Sequence, residues 1–239
     1  MRTPDTVTIP SPLVTDYRDR MSDGIRWIGE HSNQSPKTSI PGMLGGISLT
    51  TARDIDTEDF LTCLGAEPLQ LDEGYLYKDR RSVTLPDGAG NLTFAMYGTC
   101  GDWVYVLEDW EMATWYLHRG GGPPMTALAG IETVCVSLNR HDPPPYISHT
   151  TPEGRIVSVE YGEDTGCGSA LDAALQAAGA VFPPMPDTPW DEAALYQEQY
   201  LEKLLPAVFS AVGDYCGLSI DQAAVEAGDL PVAVLFPLS

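Results

Sequence analysis

The stretch "GDWVYVLEDW", Gly101 to Trp110, decides how this chain folds. Trp103, Tyr105 and Leu107 alternate with Val104, Val106 and Glu108, the period of a β-strand. Both sets are mostly apolar. A strand that carries apolar groups to both faces belongs inside a sheet that is covered on both sides. Beyond it the alternation breaks, and "EDWEMATWYLHRGGG" supplies further aromatic and acidic side chains. Trp and Tyr are favoured interface anchors, and loops on a rigid scaffold carry function. Glu108, Asp109, Trp110, Glu111, Trp115 and Tyr116 therefore form the candidate binding segment. The plainer reading folds Trp110 and Trp115 back over a sheet edge to cover it.

Further strands are expected at "ISLTTA" (47–52), "GNLTFAMYG", "IETVCVSL", the hairpin "YISHTTPEGRIVSVEYG" and the closing "PVAVLF". "GYLYKDRRSVTL" also reads as a strand, joined to "GNLTFAMYG" by the turn "PDGAGN". Helices are expected between these. Leu13, Val14, Tyr17, Met21, Ile25 and Ile28 recur at helical spacing, interrupted by Gly24. Asp56 caps a short helix, with Asp59 at capping-box spacing and Gly65 after its end. Pro123 and Pro124 open "PPMTALAG", and Ser169 caps "ALDAALQAAG". Asp191 begins the longest helical stretch, which Pro206 is expected to kink or split. "LSIDQAAVEAG" adds a short capped helix. The elements alternate irregularly and no repeat is present. The expectation is α+β: residues 13–239 as a single domain with a mainly antiparallel sheet and several packed helices, and residues 1–12 as a flexible N-terminal tail.

Composition narrows the function classes. The 239 residues include 34 acidic and 13 basic side chains, a formal net charge of −21. The acids are dispersed rather than blocked, but their summed field opposes direct binding to nucleic acid or anionic lipid. A basic protein partner or a cationic ligand fits that field. The five cysteines are odd in number and lack CxxC spacing, which argues against a disulfide framework or a thiolate zinc site. The start of the chain lacks the apolar core of a secretory signal, and no run approaches membrane-spanning length. These features predict a cytoplasmic protein with reduced thiols.

No motif assigns an activity, a metal or a cofactor. "DIDTED" (54–59) opens like a calcium loop, but the sixth and twelfth positions are Asp59 and Gly65 instead of glycine and glutamate. Its acids suit a helix N-terminus. His141, Asp142 and His149 are metal-ligand types, yet their spacing across three prolines matches no helical pair. His31 and His118 have no evident partners. "GCGSALD" puts Cys167 and Ser169 ahead of a helix, where a thiol is activated and glycines can form an anion nest. The structural role of Ser169 as a cap competes with that reading. Close carboxylates in "EYGED" and "EDWE" are unsurprising in so acidic a chain, and Gly120–Gly122 read as a connector.

The ordered set "YRDRMSDGIRWIG", "GGISLTTARDIDTEDFLTCLGA", "GDWVYVLEDW", "LAGIETVCVSLNR", "YISHTTPEGRIVSVEYG" and "LEKLLPAVFSAVGDYCGLSID" resembles an uncharacterised actinobacterial protein family, a domain of unknown function. The resemblance spans roughly residues 17–225 and implies a cytoplasmic bacterial α+β domain without a catalytic role. This chain departs from it in its longer tail and its aromatic stretch after Trp110.

Three functional classes follow. The first is an acidic, non-enzymatic interaction or regulatory protein, of the immunity or inhibitor kind, that binds a basic partner. The second is a small-molecule-binding protein or hydrolase with a pocket near Trp110, Trp115, His118, His141 or Cys167. The third is a nucleic-acid mimic with carboxylates at phosphate-like spacing.

Overall fold

A row of apolar side chains crosses the entire sheet of the computed structural model. Among the described residues the strands are β1 (Ser48–Arg53), β2 (Thr93–Cys100), β3 (Trp103–Glu108), β4 (Thr133–Ser137), β5 (Tyr146–Thr150), β6 (Ile156–Glu160) and β7 (Val232–Leu235). They lie in the order β6-β5-β4-β1-β3-β2-β7. Every pairing is antiparallel, and the registers align Val159, Ile147, Val136, Leu49, Leu107, Met96 and Val232 side by side. All seven are buried. A register slip of one residue in any strand would turn its member of the row to the opposite face. The structure describes residues 24–34, 39–71, 73–83, 85, 92–109, 113–114, 128, 130–138, 145–182 and 190–236.

β3 is an interior strand, as its two-sided pattern requires. Trp103, Tyr105 and Leu107 join the larger core beneath the helices α1 (Arg26–His31), α4 (Ala170–Ala177), α5 (Trp190–Cys216) and α6 (Gln222–Ala227). Val104 and Val106 join a smaller core on the other face, with Phe60 and Leu61 of α2 (Thr57–Cys63) and Leu64 just after it; the single-turn helix α3 (Pro68–Leu71) follows. The chain is an α+β domain built on one antiparallel sheet.

The local signals explain most boundaries. The Asp56 side chain accepts the Glu58 N–H at 2.8 Å, and Glu58 and Asp59 occupy the first turn of α2. Gly65 ends that helix at φ +96°, and a Cβ there would stand 2.3 Å from the Phe236 carbonyl oxygen. The same approach lets Phe236 N–H donate to Gly65 O, which covers the outer edge of β7. Ser169 and Asp172 form a reciprocal capping box on α4. Asp221 caps α6, and Gly228 closes it at φ +69°.

Two expectations are corrected. "GYLYKDRRSVTL" is not a strand: Tyr77–Ser82 forms a 3-10 turn. Arg80 drives this by donating to Tyr77 O and Pro41 O while its guanidinium stacks 4.2 Å from the Tyr77 ring. Of the first helical stretch the described part is a helix from Arg26, preceded by a turn in which Gly24 takes φ +62°; Leu13, Val14, Tyr17 and Met21 lie outside the described residues. α5 is not split at Pro206 but continues through it. Leu204, Leu205, Ala207, Val208 and Phe209 are all buried, so tertiary packing on both sides of the proline outweighs the lost backbone bond. Residues 1–12, "PDGAGN" and most of "PPMTALAG" lie outside the described residues.

Candidate functional site

The antiparallel pairing gathers one set of chain reversals at a single end of the sheet. β1 ends there at Arg53 and β3 begins there at Trp103, which pair directly. Arg53 N–H donates to Glu132 O just ahead of β4, and Asp54 N–H donates to Asp102 O. The Asp54 backbone is left-handed, at φ +55°, which Asp tolerates better than most residues. This juxtaposition opens a shallow cleft of about 250 Å³. Asp54, Asp56 and Asp102 stand around it, Thr57 and Thr99 add hydroxyls, and the buried Trp103 lies at its inner side. The Asp54 side chain is 74% exposed.

Behind Trp103 the cleft backs onto a buried polar network. Glu132 Oε1 accepts from Tyr215 Oη of α5 and is 3.2 Å from His149 Nε2 of β5. Both Glu132 and His149 are buried. Tyr215 meets Trp103 and His149 edge-on, with centroids 6.3 and 5.7 Å away. Burial, then the hydrogen bond and charge of Glu132, raise the Tyr215 hydroxyl above its ordinary range, so it stays a donor. Burial and then Glu132 likewise raise the Cys216 thiol, which keeps it protonated. Arg53 joins the two regions. Its guanidinium lies 5.9 Å from the Trp103 ring centre, with Nε 3.6 Å from Asp54 and Nη1 3.6 Å from Glu132. These separations exceed a charge-assisted hydrogen bond, so Arg53 is held loosely between an exposed and a buried carboxylate.

The opposite end of β3 carries two of the six residues read as a binding segment. Glu108 is buried and accepts the Thr114 N–H on both oxygens, at 3.0 and 2.9 Å, and the Thr114 hydroxyl on Oε1. Asp109 accepts from Tyr77 Oη at 3.3 Å. Burial raises its carboxyl above the usual range, against the pull of Tyr77 and Arg80. Trp110, Glu111, Trp115 and Tyr116 lie outside the described residues, as do His118, His141 and Asp142.

His149 thus belongs to Glu132 and Tyr215, partners distant in sequence. Its position in the alternating stretch "YISHT", on the face shared with Ile147, was the available signal; the identity of its partners was not. Cys167 is exposed, and its thiol donates to Thr165 O at 3.4 Å. The loop around it is fastened by Asp172, which accepts from Thr165 N, Thr165 Oγ1 and Ser169 N. Among the described residues no three His, Cys, Asp or Glu side chains converge as a metal site requires. No described helix is long and apolar enough to cross a membrane.

No family model matches this chain, and neither a curated protein nor a solved structure matches it.

Proposed function

We propose that this protein is a non-enzymatic interaction or regulatory protein that binds a basic protein partner. The observation that carries the reading is the cleft at the end of the sheet, where Asp54, Asp56 and Asp102 surround Trp103 in a chain of net charge −21. Carboxylates at the mouth of a cleft suit a lysine or arginine side chain, which gains charge attraction and charge-assisted hydrogen bonds. The overall field adds steering, which accelerates the encounter with a basic surface and weakens with salt. An inhibitor-like or immunity-like role, in which the acidic surface covers a basic enzyme, is the form of regulation this chemistry suits best.

The test is titration with a lysine- and arginine-rich peptide, at low and high salt, followed by calorimetry and tryptophan fluorescence. The wild-type chain is expected to bind at low salt and to lose most of that affinity at high salt. Asp54→Asn with Asp102→Asn is expected to weaken binding by roughly tenfold or more, given the worth of close charge pairs. Capture from a native host with both chains should then recover a basic protein only with the wild type. Equal binding by the two chains would remove the cleft from the reading.

A further inference from the structure

Glu108 is the least compensated buried charge among the described residues. It sits at the last position of β3, 1% exposed, and every hydrogen bond described to its carboxylate comes from Thr114. No cation pairs with it among the described residues. A buried carboxylate lacking a counter-charge is held up only by its hydrogen bonds, and it resolves the remaining cost by taking a proton.

A second observation shows where that proton would point. Ser48 of β1 stands directly opposite Glu108 in the β1–β3 register. Opposed residues in an antiparallel pair project from the same face, with Cβ atoms about 4.5–5.5 Å apart. Ser48 is fully buried, and its Oγ has no hydrogen-bond partner among the described residues. Ionised Glu108 is only an acceptor, whereas protonated Glu108 has one O–H to give. Ser48 Oγ is an unused acceptor on the adjacent strand.

We propose that Glu108, Thr114 and Ser48 form a proton-operated clasp at the exit of β3. In the ionised state both carboxylate oxygens grip Thr114. In the protonated state one oxygen becomes a hydroxyl that turns to Ser48 Oγ, and the grip on Thr114 falls to the remaining oxygen. The proton comes from solvent, and no other covalent bond forms or breaks.

The surroundings favour a transition near neutral pH. Burial, the largest influence, pushes the Glu108 carboxyl up to about 7 against the opposing bonds from Thr114, and the adjacent Asp109 adds to the rise. Asp109, just after β3, is the charged neighbour, and it faces Tyr77 and Arg80 of the 3-10 turn. From β1 and β2 the residues opposed to Glu108 are Ser48 and Ala95, both uncharged. Ala113, beside Thr114, is also uncharged and buried.

The experiment is an NMR titration of the full chain, following the Thr114 amide and the Glu108 side-chain carboxyl carbon. Both signals are expected to move through one shared inflection between about pH 6 and 8. Ser48→Ala should lower its midpoint by about half a unit or more, since the protonated form loses its acceptor; a net hydrogen bond is worth about 1 kcal/mol and a pH unit about 1.4. Thr114→Val should raise the midpoint, since the ionised form loses a donor. Glu108→Gln should abolish the Thr114 inflection. If that variant fails to fold, the wild-type carboxyl carbon still reads the titration directly. A carboxyl signal that is flat between about pH 5.5 and 8.5 would overturn the proposal. So would a Ser48→Ala midpoint that stays fixed or rises.

Discussion

Tyr215, in the last turn of α5, donates its hydroxyl to Glu132, 83 residues earlier in the chain and just ahead of β4. That bond fastens the longest helix to the sheet end at which Arg53, Trp103 and His149 also meet. The acidic cleft and the buried network therefore meet at Trp103.

Tyr215→Phe isolates this link, because the ring that contacts Trp103 and His149 is retained. The variant leaves a buried carboxylate with one donor fewer. Such a loss costs about 1–3 kcal/mol. Urea unfolding is expected to show a lower midpoint with an unchanged slope. An unchanged midpoint would mean that the bond contributes nothing net.

Gly29→Ala tests the packing of α1 on α5. A Cβ at Gly29 would lie 2.4 Å from the Leu205 carbonyl oxygen and 2.6 Å from the Pro206 Cα, both backbone atoms. Neither can rotate away, so the helices must separate. Overpacking of this kind costs about 1–3 kcal/mol. Thermal unfolding should show the loss. A variant as stable as wild type would show that α1 can shift without penalty.

Glu108 gives stability a pH dependence of unusual sign for a carboxylate. Its folded pKa, about 7, lies above its unfolded value, so folding takes up a proton. The contribution is fully present below the unfolded pKa and is lost as pH rises toward about 7. At 1.36 kcal/mol per unit, the full effect is roughly 3 kcal/mol. The stability difference between wild type and Glu108→Gln, measured from about pH 5 to 8, should therefore move against wild type as pH rises. A difference independent of pH would contradict the buried carboxyl.

Asp172 behaves in the opposite sense. Burial opposes its ionisation most strongly, but the bonds from Thr165 and Ser169 together hold its carboxyl below the usual range. Its contribution is present above the unfolded pKa and disappears as pH falls through the folded one. Asp172→Ala removes the capping box and the fastening of Thr165, at a cost of about 1–2 kcal/mol near neutral pH. The gap from wild type should close in acid. A constant gap would assign the effect to packing.

Much of this architecture was legible because its causes are local. The alternation in "DWVYVLED" marks an interior strand, since two apolar faces must both be covered. Asp56, Ser169 and Asp221 announce helix starts, because a short side-chain acceptor next to the first free N–H groups works wherever it occurs. "GYLYKDRRSVTL" misled for the converse reason. Its β-type residues were overruled by the Arg80 contacts to Pro41 and Tyr77, of which the Pro41 contact is invisible to local pattern.

The sequence by itself determined the fold class, the acidic field and most element boundaries. Which residues meet at the sheet end was decided only by tertiary structure. Arg53, Trp103, Glu132, His149 and Tyr215 are spread over more than 160 positions, and the antiparallel register together with the docking of α5 brings them into contact. The same holds for Glu108: the sequence places it at the end of an alternating strand and in the candidate binding segment, and only its place opposite Ser48, inside the molecule, makes it a buried group. Burial and register are properties of the assembled sheet, and they set the chemistry of an acid more strongly than its identity does.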